Sequence, residues 1–264
     1  MLDITAISKT FHPGTPNARQ ALRQLSLHLE DGEFATIVGS NGAGKSTLFG
    51  AIAGSFYTDE GRILLDGTDL TFQPEHRRSR VIGRLFQDPM RGTAPHMTIE
   101  ENLALAYLRA SHGSPFRRIT PRDRELFRSQ LAQLDMGLEE RMRQPVGLLS
   151  GGQRQRAYIA MVIAQDTEYI LLDEPTNNLD IYHATNLMRI VRRLCDELGK
   201  TVILVLHEIN YAAFYSDYIC AFVDGKIAKF GTVQEVITKE NLSDIYKVDF
   251  EIMQIEGKPL SIYY

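Results

Sequence analysis

The feature that most constrains the fold is the segment FATIVGSNGAGKSTLFGAIAG, residues 34–54. It opens with a continuous apolar run, which is typical of a buried parallel strand. It then passes through a glycine-rich loop into a helical pattern that ends at Gly54. A strand, a tight loop and a helix in this order indicate a sheet with helices packed on its faces. We therefore predict an α/β fold.

The loop matches the pattern G-x-x-x-x-G-K-[ST], which binds phosphates when a strand precedes it and a helix follows. Its glycines let backbone N–H groups turn toward an anion, and the helix N-terminus adds a favourable dipole. Lys45 is expected to reach the β- and γ-phosphates and Ser46 to ligate Mg²⁺. A glycine-rich turn that binds nothing is the weaker alternative. The candidate ATP contacts in this loop are Gly39, Asn41, Gly42, Gly44, Lys45, Ser46 and Thr47.

The bulk properties exclude several classes of protein. The net charge of −4 argues against a primary role in binding nucleic acid. Cys195 and Cys220 lack metal-ligand spacing, which favours a reduced cytosolic setting. The N-terminus lacks the layout of a signal peptide, and runs such as VILVL are too short to cross a bilayer. We expect a soluble chain whose membrane role, if any, depends on a partner.

The rest of the chain alternates strands and helices around one helical block. LDITAIS, LRQLSLHLE, EGRILLDG and RVIGRLFQ predict strands. Between 89 and 150 the pattern becomes helical, with a basic loop at 112–119. YILLD and TVILVLH predict buried strands separated by a helix over 180–198, in which apolar residues from Ala184 to Leu198 lie on one stripe. FVDGKIAKFG and the tail from Phe250 predict hairpins. The core should be a mostly parallel sheet.

Two further patterns carry chemistry. YILLDEP places Asp173 and Glu174 at the end of a buried strand, where an α/β sheet presents ligands of metals. Asp173 would orient Mg²⁺ and Glu174 would polarise a water, although an acidic turn after a strand remains the alternative. LSGGQRQ, residues 149–155, opens a helix with Ser150 as N-cap. Two glycines follow, so either an oxyanion approaches this helix end or the turn is only a flexible cap.

With these motifs in this order, the chain resembles the ATP-binding cassette (ABC) ATPase family, whose signature motif is LSGGQ, over nearly its whole length. The resemblance implies a P-loop NTPase core with a mostly parallel sheet, an antiparallel β subdomain and an inserted α-helical subdomain. It implies one ABC ATPase domain over 1–264. We divide it into a nucleotide-binding core with its β subdomain (1–88), a helical signature subdomain (89–150), and the remainder of the core with a C-terminal hairpin (151–264).

The resemblance also implies roles for four isolated residues. Phe11 would stack on adenine, Gln87 would sense Mg²⁺ and water, and His207 would contact the γ-phosphate, while Asp180 would be the D-loop aspartate. Taken alone, Phe11 and His207 would be structural and Gln87 a surface residue. Two chains would pack head to tail, with each ATP lying between one phosphate loop and the partner's signature turn; the signature residues are Ser150, Gly151, Gly152 and Gln153.

Two departures from the family pattern stand out. Asn177 and Asn178 replace a common Ser-Ala pair, which leaves coupling between subunits uncertain at this position, and Phe11 replaces the commoner Tyr. The part through GLLSGGQRQ resembles an importer group linked to amino-acid uptake, whereas the part from about RAYIAMVIA to the end resembles iron–siderophore importer ATPases. This difference raises the hypothesis of a chimera with a seam near the signature motif.

The resemblance implies an ATP-hydrolysing, nucleotide-binding subunit of an ABC membrane importer. Its partners would be a second ABC ATPase chain, which would make a homodimer, and membrane-spanning permease subunits, with the chain on the cytoplasmic face of the cell membrane. No nucleic-acid partner is expected. One alternative is a soluble ABC ATPase acting on nucleic acid or ribosomes, for which RRSRVIGR would be a phosphate-contact patch rather than a solvated basic face. Another is a hybrid ATPase that couples to no transporter.

Overall fold

The computed structural model describes residues 1–110, 119–133, 137–177 and 179–263. The strands are β1 (Leu2–Phe11), β2 (Arg19–Leu29), β3 (Phe34–Gly39), β4 (Glu60–Leu65), β5 (Thr68–Asp69), β6 (Ile82–Leu85), β7 (Tyr169–Asp173), β8 (Thr201–Val205), β9 (Tyr218–Val223), β10 (Lys226–Thr232), β11 (Phe250–Ile255) and β12 (Lys258–Tyr263). The α-helices are α1 (Lys45–Ala53), α2 (Glu75–Arg78), α3 (Pro89–Gly92), α4 (Ile99–Ala110), α5 (Pro121–Gln133), α6 (Gly151–Ala164), α7 (Ile181–Asp196), α8 (Ile209–Tyr215), α9 (Val233–Val236) and α10 (Lys239–Tyr246). Apart from its last residue, the predicted basic loop at 112–119 lies outside the described residues.

The chain divides into two compact units, one formed by residues 1–78 and 191–264 and the other by residues 79–190. The boundary at 190 falls within helix α7. The proposed division at 88 and 150 stays a prediction, and its helical segment is contained in the second unit.

The first unit is built around β3, which is buried along its whole length. β3 pairs in parallel with β8 through Phe34 and Val202, and with β9 through Ala35 and Tyr218. β10 pairs antiparallel with β9, which confirms the hairpin predicted at the Asp224–Gly225 turn. The parallel strands end on the same side, so β3 delivers the glycine-rich loop at the carboxyl edge of this sheet.

Two antiparallel elements complete the first unit. β2, β1, β4 and β5 form a sheet in that order. β11 and β12 form the predicted C-terminal hairpin, with Phe250 opposite Tyr263. Asn210 of α8 holds this hairpin: its Oδ1 accepts hydrogen bonds from the backbone N–H and the hydroxyl of Ser261, at 2.8 Å each.

The second unit combines a parallel strand pair with helices. β6 and β7 pair in parallel from Ile82–Tyr169 to Leu85–Leu172. Helices α3, α4 and α5 each pack against α6, whose side chains from Ala157 to Val162 are buried. α6 therefore forms the core of this unit, and its N-terminus carries the signature motif.

Helix α7 is shorter than the sequence predicts. It ends at Asp196 rather than residue 198, because Gly199, at φ +63°, turns the chain and donates its N–H to the Cys195 carbonyl at 3.0 Å. The predicted apolar stripe is buried from Ala184 to Cys195, but Leu198 is 60% exposed. The predicted stripe is therefore part of the core only as far as Cys195.

The basic segment RRSRVIGR is only partly a solvated face. Arg78 is fully buried, whereas Arg77 beside it is exposed. The Arg78 guanidinium donates hydrogen bonds to the carbonyls of Ala51 and Ile52, at 2.6 and 2.9 Å, which are among the last carbonyls of α1. Arg78 thus caps the C-terminal end of the helix that follows the phosphate loop.

No helix among the described residues is long and apolar enough to span a bilayer.

Candidate functional site

The loop between β3 and α1 has a backbone that only glycine fits at its first and last glycine positions. Gly39 has φ +143°, and a Cβ there would lie 2.3 Å from the carbonyl oxygen of Phe222. Gly44 has φ +112°, and its Cβ would lie 2.6 Å from the oxygen of Ala21. Because both obstacles are backbone atoms, these two glycines are required by the fold of this chain itself.

Lys45 and the start of α1 have features that favour the binding of an anion. Lys45 is 5% exposed, and its Nζ donates to the carbonyls of Gly39 and Ser40 at 2.7 and 2.9 Å. The N-cap of α1 is Gly44, which makes no side-chain cap, so nothing from its own N-cap covers the first helical N–H groups. The Ser46 side chain is exposed at the same end. A buried ammonium, an uncapped helix start and a hydroxyl fit a triphosphate.

Phe11, the last residue of β1, lies near this loop. It is half-buried and contacts Phe56 edge to face at 5.2 Å between ring centroids. Its strand partner is Arg19, which donates to the carbonyl of Gly42 at 2.5 Å. The end of β1 is therefore tied to the phosphate loop, as an adenine-stacking ring would require. The role of Phe11 stays a prediction.

His207 follows β8, the strand next to β3. The backbone N–H of Leu206 donates to the Ile37 carbonyl at 3.2 Å, and His207 itself is exposed. Because β3 and β8 are parallel, His207 lies at the same sheet edge as the phosphate loop. This position fits a contact with the terminal phosphate, which stays a prediction.

In the second unit, Gln87 and the acidic pair lie together. Asp173 and Glu174 are 4% and 8% exposed, at the end of β7. The Gln87 amide, just after β6, donates to Oε2 of Glu174 at 2.7 Å. Asn177 donates to the same oxygen at 2.5 Å. The sequence predicted Gln87 and Glu174 as site residues but not their bond. Asn177 was identified only as a departure from the family pattern, not as a site residue. The signal that could have identified it is an amide side chain three residues after Glu174.

The signature turn is arranged differently from the phosphate loop. Ser150 caps α6, with Gln153 N–H donating to the Ser150 hydroxyl at 3.3 Å and Ser150 N–H donating to Gln153 Oε1 at 3.1 Å. Among the described residues outside its own helix, a Cβ on Gly151 would meet no atom within 4 Å, and one on Gly152 would meet Leu179 at 3.6 Å. The fold of this chain therefore does not require glycine here. An open, uncrowded helix start suits a ligand that approaches from outside the chain.

Two predicted site residues have structural partners. Gln153 takes part in the Ser150 cap, and Asp180 caps α7 by accepting the N–H of His183 at 2.8 Å. Their roles toward ATP stay predictions.

The predicted site residues are divided between the two units. Phe11, the phosphate loop and His207 belong to the first, and Gln87, the signature turn, Asp173, Glu174 and Asp180 belong to the second. Among the described residues, no three His, Cys, Asp or Glu side chains form a metal-binding group.

Comparison with known proteins relates the chain to one family. A profile of the ABC transporter family matches residues 22–177. The chain is 35% identical over 264 residues to the petrobactin import ATP-binding protein YclP of Bacillus subtilis (strain 168), covering 100% of both. It is 34% identical over 245 residues to a tyrosine transport ATP-binding protein of Clostridioides difficile (strain R20291), covering 92% of this chain and 95% of that one.

A solved structure agrees with these sequence matches. The dimeric ATP-binding cassette MJ0796, in a post-hydrolysis state with ADP and phosphate, superposes with a TM-score of 0.78 at 29% identity, covering 88% of this chain and 99% of that one. This match confirms the predicted ABC ATPase fold. The YclP match runs across the position of the suspected seam, and the chimera hypothesis has no support.

Proposed function

Because the chain belongs to the ABC transporter family, we propose that it is the ATP-hydrolysing subunit of a membrane importer. The observation that carries this proposal is the full-length similarity to an import ATP-binding protein, in a chain that has the phosphate loop, the acidic pair and the signature turn. A soluble ABC ATPase acting on nucleic acid or ribosomes is not favoured, since both relatives named above are transport subunits.

Within the first unit, the phosphates of ATP would lie in the loop between β3 and α1. Lys45 would exchange its loop carbonyls for the β- and γ-phosphates, and Phe11 would stack on the adenine. Ser46 would ligate Mg²⁺, which neutralises charge on the phosphates when bound. Asp173, which belongs to the second unit, would orient Mg²⁺. His207 would contact the γ-phosphate.

Hydrolysis would depend on Glu174. Its carboxylate would polarise the attacking water and accept a proton from it, and Gln87, hydrogen-bonded to it at 2.7 Å, would help to orient that water. Such a mechanism needs no covalent intermediate, because positioning and electrostatic stabilisation account for most of phosphoryl-transfer catalysis.

A complete site would need two chains. The turn from Ser150 to Gly152 would bind the nucleotide held by a second copy, which gives a reason for the open space around Gly151. Asp180 would lie at the same contact. Supporting this arrangement, the structural relative MJ0796 is a dimer.

In the importer, the chain would bind permease subunits on the cytoplasmic face of the membrane, with the helical segment 89–150 as the docking region. We propose a ferric siderophore as the cargo to test first, since YclP is a petrobactin import protein. Similarity to the tyrosine transport protein is only one percentage point lower, so the permease rather than this chain would select the cargo.

The test of the two-chain site is the solution mass of a Glu174→Gln variant with and without Mg-ATP. Without hydrolysis the closed state should accumulate, so ATP should double the 29.8 kDa mass. A Lys45→Ala, Glu174→Gln double variant is the control and should stay monomeric. A Glu174→Gln monomer that binds ATP without dimerising would contradict the split site.

The test of the importer function is ATP turnover in vesicles containing a siderophore-importer permease. We expect turnover to rise when the permease is present, and the cargo to accumulate. No stimulation, together with nucleic acid that co-purifies with the chain, would favour the soluble alternative.

A further inference from the structure

The carboxylate of Glu174 is held by two amide side chains at one oxygen. Gln87 Nε2 lies 2.7 Å and Asn177 Nδ2 lies 2.5 Å from Oε2. An ionised carboxylate only accepts hydrogen bonds, so the nitrogen of each amide must face it. The two donors come from different segments, one following β6 and the other following β7. These strands are paired in parallel, so their carboxyl ends bring the donors together.

The turn after β7 has the geometry to hold Asn177 in place. Glu174 has φ +51°, an uncommon conformation for a residue other than glycine. The backbone N–H of Asn177 donates to the Glu174 carbonyl at 3.2 Å. Gln155, 4% exposed, donates to the Pro175 carbonyl at 3.1 Å. Backbone and Gln155 contacts thus hold the turn, and the Asn177 side chain is not needed to close it.

We infer that Asn177 is a positioning residue that, together with Gln87, sets the orientation of the Glu174 carboxylate for the attack of water on ATP. This inference depends on the role proposed for Glu174. The terminal torsion of a glutamate is broad, so one donor allows the carboxylate to pivot about the bond to that donor. A second donor on the same oxygen removes this freedom. With its nitrogen on Glu174, Gln87 retains its amide oxygen for a metal or a water.

The inference predicts a specific order among variants. Asn177→Ala removes one hydrogen bond to a charged group, which should lower kcat by about tenfold or more. The KM for ATP should change by less than about twofold, because Asn177 acts on the base rather than on the nucleotide. Asn177→Asp should lower kcat further, since a carboxylate facing Oε2 repels it instead of donating to it. A purely structural role would favour Asp, the closer match in shape.

Gln155→Ala is the matched control, because it loosens the same turn without removing a donor from Glu174. Basal ATP turnover and thermal unfolding are measured for all four proteins in solution. The inference is supported if two results are obtained together. Asn177→Ala must lower kcat although it unfolds at a temperature no lower than that of Gln155→Ala, and Asn177→Asp must lower kcat more than Asn177→Ala does. It is overturned if both Asn177 variants keep kcat within about twofold of wild type. It is also overturned if Asn177→Ala and Gln155→Ala lower kcat and unfolding temperature equally.

Failure of the importer function is distinguishable from failure of this inference. A permease that does not stimulate turnover counts against the importer and leaves the comparison of basal turnover intact. A folded wild-type chain that binds ATP without hydrolysing it would instead remove the basis of both.

Discussion

Arg78→Met should destabilise the protein far more than a substitution at a surface arginine. The Arg78 side chain is fully buried, and its guanidinium donates to four backbone carbonyls, those of Gln73, Ala51, Ile52 and Thr71, at 2.6–3.1 Å. Methionine fills a similar volume but donates no hydrogen bond. The carbonyls at the end of α1 would then lose a donor in a place that water does not reach.

The size of the effect follows from two opposing terms. Each buried carbonyl left without a donor costs about 1–3 kcal/mol, and up to four are affected. Burial disfavours the charged form of the Arg78 guanidinium and lowers its pKa, and methionine avoids that cost. We expect a net loss of about 3–5 kcal/mol in the free energy of unfolding. For a chain of this size, that loss lowers the unfolding temperature by about 10 °C.

Thermal unfolding of Arg78→Met, Arg78→Lys and Arg77→Met checks this prediction. Arg77 lies in the same short helix α2 but is exposed, so its variant should stay within about 2 °C of wild type. Lysine keeps the charge without the planar array of donors and should give an intermediate result. If Arg78→Met unfolds at the temperature of Arg77→Met, the capping role assigned to Arg78 is wrong.

Three further predictions test other parts of the chain. Lys45→Ala should abolish tight ATP binding, because the loop loses its buried ammonium; unchanged affinity by calorimetry would refute the assignment of the loop. Ser150→Ala should leave ATP binding by the monomer within about twofold but impair the ATP-dependent dimer of the hydrolysis-blocked variant, and a large loss of monomer affinity would contradict the two-chain site. Hydrogen bonds to Asp3 and Glu30 raise the pKa of His28 above 6.5, so their stabilisation is present below that pH and is lost as the pH rises through the raised pKa. Asp3→Asn should therefore flatten the fall in unfolding temperature between about pH 6 and 8, and an unaltered slope would exclude this contact as its cause.

Much of the fold was predictable because its signals are local. One contiguous segment contains the apolar run of β3, the glycines after it and the helical pattern of α1. Each of these patterns indicates a backbone conformation that neighbouring residues determine. The hairpin at Asp224–Gly225 is predictable for the same reason, since the type I′ turn that Asp-Gly favours needs φ > 0 at both positions, and the chain has +47° and +78° there.

Predictions that depended on long-range packing were less accurate. The burial of Arg78 could not be predicted from its basic neighbours, because it depends on carbonyls 26 and 27 residues earlier in the chain. Leu198 matched the periodicity of α7, but Gly199 ends the helix and leaves the side chain exposed. Tertiary context overrode the local pattern at Arg78, whereas at Leu198 a second local signal, the glycine that follows it, overrode the helical periodicity.

For the site, the sequence by itself determined which chemical groups are present: a phosphate loop, an acidic pair after a strand, and a capped glycine turn. It could do so because each group is defined by residue types at short, invariable spacing. Only the tertiary structure decided which glycines the chain needs for its own fold. It also brought Gln87, 87 residues from Glu174 in the chain, to the same Glu174 Oε2 that accepts a hydrogen bond from Asn177. Those facts depend on the register of β6 against β7 and on backbone atoms that approach from distant segments, and spacing along the chain carries neither.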